Sequence, residues 1–117
     1  KNKMEIKKET VREKKGTGYI TLYTLPYCLH CRVLKSTLDK MEVPYIDINI
    51  DENEKLGDIL EKEFQTTSWP IIQYFKKPDF PTITIVSGTS LATLENVRIF
   101  TTIEQALEIL LNYYYEI

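Results

Sequence analysis

Apolar residues along the chain fall into segments of two periods. Residues 19–24 (Tyr-Ile-Thr-Leu-Tyr-Thr) are enriched in β-branched and aromatic residues, which predicts a buried strand. From Cys31 onward Leu34, Leu38 and Met41 recur at helical spacing, with Arg32, Lys35, Asp39 and Lys40 on the outer side. Val43-Pro44 ends that helix, because the residue before a proline is driven out of the α region. Tyr45 to Ile50 alternates, with Ile46, Ile48 and Ile50 on one face and Asp47 and Asn49 on the other, a second strand. Asp51 or Asn53 is placed to cap a second helix with Leu56, Ile59, Leu60 and Phe64 on its apolar face, and Gly57 weakens it slightly. Trp69-Pro70 leads into a strand over 71–75, and Lys76-Lys77-Pro78-Asp79 forms a turn. A further strand over 81–86 is stopped by Ser87-Gly88. Residues 89–100 are ambiguous, with a short strand at 97–100 as one reading. Thr101-Thr102-Ile103-Glu104 has capping-box spacing and opens a last helix with Ile103, Ala106, Leu107, Leu110 and Tyr114 on one face.

The order is β-α-β-α-β-β-α. A strand–helix–strand opening calls for a right-handed crossover and parallel pairing, while the later turn suits an antiparallel hairpin. The expected α/β fold is a mixed sheet with helices on both faces. The 117 residues suffice for one domain with a proper core, placed at 18–117 behind a basic leader at 1–17.

Charge adds one asymmetry. The chain carries a net −2, but residues 1–15 hold +4 and the remainder −6. The leader mixes signs and has few apolar residues, so it reads as a solvated tail and not as a nucleic-acid arm. No stretch reaches the roughly 20 apolar residues of a membrane span, and residues 1–17 lack the apolar run of a secretory signal. The expected setting is a reducing cytoplasm, with no nucleic acid, no membrane and a monomeric chain.

In that setting Cys28 and Cys31, the chain's two cysteines, stand out. They sit where the first strand meets the first helix. A cysteine at a helix N-terminus meets unpaired backbone N–H groups and the positive end of the helix dipole, which stabilise a thiolate. A second cysteine one turn along is near enough to attack a mixed disulfide on the first, as thiol–disulfide exchange requires. Two other readings stand beside it: a shared or intermolecular metal site, and a purely structural pair. A zinc site within the chain lacks donors, since His30 is the only histidine and lies between the cysteines.

The stretch from Tyr23 to Lys35, containing Tyr27-Cys28-Leu29-His30-Cys31, resembles the active-site segment of the glutaredoxin family, a branch of the thioredoxin-like fold. Tyr45-Ile46-Asp47-Ile48-Asn49 is similar to that family's second strand, and Thr67-Ser68-Trp69-Pro70 to its threonine-x-proline stretch, whose proline is cis. The likeness spans roughly residues 18–115. It implies a thiol–disulfide oxidoreductase with Cys28 as nucleophile and Cys31 as resolving thiol. It implies also that Pro70 is the cis-proline and that the Trp69 backbone pairs with substrate. Phe80-Pro81 is the competing position for the cis bond. Tyr27, Trp69, Pro70, Thr101 and Thr102 then form the substrate or glutathione site. Glutathione would be a co-substrate, and no metal or organic cofactor would be bound.

Three features depart from the family. Leu25 occupies the place, three before the first cysteine, where glutaredoxins usually carry a lysine that meets a glutathione carboxylate. Ile99 and Phe100 precede Thr101 where a Gly-Gly is common, and the segment before the last helix is long. His30 favours the Cys28 thiolate, by charge or hydrogen bond, or is an exposed spacer. The partners expected are disulfide-bonded proteins, with glutathione or a flavoprotein reductase supplying electrons. A thioredoxin-like donor served by such a reductase is the alternative enzyme. A thioredoxin-fold binding module, docking through Trp69, Tyr27 and the 87–100 loop, is the alternative without turnover.

Overall fold

The computed structural model describes residues 18–88 and 94–116. The leader at 1–17, and residues 89–93 of the long loop, lie outside the described residues. Elements run β1 (Tyr19–Thr24), α1 (Leu29–Lys40), β2 (Ile46–Asn49), a 3-10 turn (Ile50–Glu52), α2 (Glu54–Phe64), β3 (Ile71–Phe75), β4 (Ile83–Val86), β5 (Val97–Ile99) and α3 (Ile103–Tyr114). The strands form one five-stranded sheet in the order β2-β1-β3-β4-β5. β1 pairs parallel with β2 and antiparallel with β3, β3 antiparallel with β4, and β4 parallel with β5. This is the mixed thioredoxin-like sheet, with an added edge strand from the segment whose reading the sequence left open.

Period-two alternation sends the strands' side chains to two cores. Ile20, Leu22, Ile72, Tyr74, Ile83 and Ile85 face α1 and α3, where they meet Leu34, Leu38, Ala106, Leu107 and Leu110. Tyr23, Ile71, Val86 and Val97 face the other way, onto Leu60 and Phe64 of α2. The second face also buries a polar chain. Tyr23 Oη donates to Gln73 Oε1 (2.8 Å), and Gln73 Nε2 donates to Thr84 Oγ1 (3.1 Å). Each group is therefore satisfied without solvent.

Three details differ from the periodic reading. Ile46 is half exposed, because β2 is an edge strand and α2 packs on the 3-10 turn beyond it, where Ile50 is buried. Ile59 is exposed, and Gly57 takes an inward place on α2 instead. A Cβ there would lie 2.6 Å from Ile50 Cγ2, so the glycine lets helix and turn approach closely. Asn53 stands at the α2 N-cap without a side-chain cap bond, while Asn49 caps the 3-10 turn by accepting from Asp51 N–H (2.9 Å).

Candidate active site

The strand directions collect the chemistry at one end of the sheet. The C-terminal ends of β1, β2, β4 and β5 and the N-terminal end of antiparallel β3 lie on the same side. The connections carrying Cys28, Pro70, Ser87-Gly88 and Thr101-Thr102 all leave from there.

Cys28 is the N-cap of α1, with extended backbone (φ −90°, ψ 115°). Cys28 N–H closes a turn on Leu25 C=O (3.2 Å), and Cys28 Sγ accepts from Cys31 N–H (3.1 Å). Sulfur thus occupies the place a serine or aspartate oxygen takes in an ordinary cap, facing an orphan N–H and the helix dipole. Cys31 lies one turn in, fully buried, its Cα 5.2 Å from that of Cys28, and the two sulfurs form a disulfide. Cys28 is partly exposed. One thiol of the pair is open to a substrate, and the other is reached through it.

The Trp69–Pro70 peptide bond is cis, and Phe80–Pro81 is not. Trp69 C=O lies 3.5 Å from Cys28 Sγ, so the backbone entering β3 borders the exposed cysteine. A polar cradle fixes that segment. Ser68 N–H donates to Thr66 Oγ1 (3.1 Å), and the buried Thr66 hydroxyl donates to Ser87 C=O. Gly88, at φ +70°, lies against the same strap: a Cβ there would stand 3.1 Å from Ser68 Oγ. Sequence reasoning missed Thr66, Ser68 and Gly88 as site-shaping residues. Their signal was the Thr66-Thr67-Ser68 run before Trp69-Pro70 together with the strand-ending Ser87-Gly88.

Thr101 and Thr102 reach the same end through β5, since Phe100 N–H donates to Val86 C=O (2.9 Å). The cap is displaced by one residue from the expected box. Thr102 is the N-cap and accepts from Gln105 N–H (3.1 Å), while Gln105 Oε1 accepts from Thr101 N–H (2.8 Å) and from its hydroxyl (3.0 Å). Buried Phe100 is held to Val86, and Thr102 keeps extended backbone (φ −129°, ψ 155°), so the helix starts later. Both threonines are exposed, and their side-chain hydrogen bonds go to Gln105.

The remaining neighbours sort by exposure. Tyr27, His30 and Arg32 are exposed. Leu25 is partly buried against the α2-side core. Lys35 is paired with Asp47 (3.0 Å), and Asp47 also accepts from the buried Thr24 hydroxyl (2.6 Å), tying α1 to β1 and β2. Among the described residues, no three His, Cys, Asp or Glu side chains gather to hold a metal ion. No described helix is long and apolar enough to cross a membrane.

The glutaredoxin family model matches residues 20–88, more than half the chain, from the first strand to the glycine beside Ser68. The chain belongs to the glutaredoxin family. It carries that family's fold and the cysteine pair of a thiol–disulfide oxidoreductase. β5 and α3 lie beyond the matched segment. No curated protein and no solved structure matches the chain.

Proposed function

We propose that the protein is a glutathione-linked dithiol reductase of protein disulfides and glutathionylated thiols. The supporting observation is the asymmetry of the pair: Cys28 capping α1 with its sulfur on Cys31 N–H, and Cys31 fully buried behind it. The Cys28 thiolate attacks one substrate sulfur, forming a mixed disulfide and expelling the other sulfur as a thiolate that takes up a proton. Cys31 gives up its proton and attacks Cys28 Sγ, releasing the second substrate thiol. Two electrons pass from the pair, which is left as the Cys28–Cys31 disulfide. Two glutathione molecules return them, becoming glutathione disulfide.

In this reading Trp69 and cis-Pro70 offer backbone to an extended substrate, Tyr27 flanks it, and Thr101 and Thr102 at the start of α3 receive a carboxylate. His30 favours the Cys28 thiolate. No bound metal or organic cofactor enters the cycle. The protein acts as a monomer in the cytoplasm, where glutathione keeps such pairs reduced. A second reading has electrons arriving from a flavoprotein reductase, and Leu25 favours it by leaving one glutathione carboxylate without its usual cation. Coupled assays with glutathione plus glutathione reductase, against thioredoxin reductase, separate the two. Turnover is expected with glutathione, and turnover with thioredoxin reductase alone would reverse the assignment.

A further inference from the structure

The first turns of α1 leave apolar side chains in water beside the nucleophile. Leu29 is 67% exposed, Val33 43% and Tyr27 71%. Leu29 and Val33 are four apart on one helix, so they share a face and lie about 6 Å apart along the axis. That face points away from the sheet, since Cys31, Leu34 and Leu38 fill the buried side. Leu29 directly follows the cap residue Cys28. A chain held in a mixed disulfide with Cys28 has the start of this helix and the Trp69 backbone, 3.5 Å from the sulfur, as its neighbours. The chemistry itself names the occupant of this strip: the chain that carries the attacked disulfide.

We propose that Leu29 and Val33 select polypeptide substrates whose disulfide cysteine is flanked by apolar side chains, in preference to polar ones. The inference rests on the oxidoreductase reading but not on glutathione as electron source. A peptide with leucine beside its cysteine covers Leu29 and Val33 as the mixed disulfide forms, and one with serine leaves them wet. Partial burial of two such side chains is worth about a tenfold change in rate constant.

The test uses the full chain, reduced beforehand and freed of reductant. Two synthetic peptides carry one cysteine, flanked on both sides by leucine or by serine, as mixed disulfides with 5-thio-2-nitrobenzoate. Cys28 attacks the peptide sulfur and expels the coloured aromatic thiolate, the better leaving group. Cys31 then frees the peptide thiol and closes the protein disulfide. Second-order rate constants are read from the colour and divided by the rate with hydroxyethyl disulfide. The leucine-flanked peptide is expected to react about tenfold faster. The double variant Leu29→Gln, Val33→Gln, whose positions are exposed and helix-compatible, should bring the ratio close to one. Equal rates in the unmodified protein, or a tenfold preference that survives the double substitution, would overturn the proposal. Failure to reduce either peptide overturns it together with the oxidoreductase reading. A leucine preference in a protein that glutathione cannot recycle supports it while removing only the glutathione reading.

Discussion

Leu25→Lys is the substitution that most directly weighs the proposed glutathione site. The turn closed by Cys28 N–H on Leu25 C=O places residue 25 at the rim beside Cys28, the nucleophile of the proposed cycle. Its leucine turns partly into the core beneath α2, so this rim offers no cation at that point. Nor is one readily supplied by its neighbours. Lys35 is engaged with Asp47 at 3.0 Å. A hydrogen bond to a charged group contributes about 1.5–3 kcal/mol, so adding one should strengthen glutathione binding roughly ten- to a hundredfold. Lysine can keep its stem along the apolar edge and its ammonium in water, which limits the stability cost to about 1 kcal/mol. The assay is deglutathionylation of a peptide, coupled to glutathione reductase. The apparent KM should fall with little change in kcat, because the contact forms equally in ground and transition states. A thermal melt should show a loss of only a few degrees. Tight glutathione use by the unmodified protein, indifferent to the substitution, would refute the reasoning and turn attention to Arg32.

Cys31→Ser should abolish dithiol reduction of protein disulfides and spare deglutathionylation, with mass-mapped iodoacetamide labelling falling on Cys28 in the reduced parent. Loss of both activities in a folded Cys31→Ser protein would contradict the mechanism. His30→Gln should lower the reduction potential by no more than ~30 mV, the equivalent of about 1.4 kcal/mol for a two-electron couple, because His30 is exposed and any charge on it is screened. An unchanged potential would make it a spacer. Gly57→Ala should destabilise the fold despite alanine's better helix propensity of about 1 kcal/mol, since the new Cβ meets Ile50 Cγ2 at 2.6 Å. Ile50→Leu, which removes that methyl, should reduce the penalty in a double-mutant cycle of denaturant melts. Burial, then its hydrogen bond to Asp39, pushes the Tyr45 phenol up to about 12. A folded pKa above the unfolded value of 10.0 favours the neutral phenol, so this stability is intact below pH 10 and lost as pH rises through about 12. Ultraviolet titration of Tyr45→Phe should show less of the late-ionising absorbance, and an unchanged curve would contradict the assignment.

The sheet, the helices and the cysteine pair were legible because their signals are local and periodic. The stretches 19–24, 71–75 and 81–86, the last observed as 83–86, carry strand-forming residues, and the stripes of Leu34, Leu38, Ala106 and Leu110 state a helix face before any contact is known. What stayed hidden depends on a partner distant in sequence. β5 has three residues, too few for a period to show, and exists because β4 offers it a parallel edge. Gln73 reads as a polar interruption of an apolar strand until Tyr23 and Thr84 are found on either side of it. The displaced cap at Thr102 follows from Phe100 being held to Val86, and the spacing of Thr101-Thr102-Ile103-Glu104 is silent on that bond. The Thr66–Ser87 strap needs two loops to meet at the sheet end, and neither loop carries a period.

The order of the thiol chemistry follows from the same pattern that makes α1 amphipathic. Cys31, Leu34 and Leu38 are its buried residues, at spacings of three and seven that define one inward stripe. Cys31, the resolving thiol of the proposed cycle, is the first member of that stripe, so packing alone removes it from solvent. Cys28 stands one turn earlier, at the cap, where backbone leaves the helix and the stripe has not begun. It is within reach of Cys31 N–H on one side and Trp69 C=O on the other, yet it remains partly open. In the proposed cycle a substrate disulfide meets Cys28 first, and Cys31 attacks from the protein side once the mixed disulfide exists. Exchanging the roles would require turning α1 about its axis and exposing Leu34 and Leu38. The hydrophobic pattern of the helix thus supports the proposed order, in which Cys28 is the cysteine that meets the substrate.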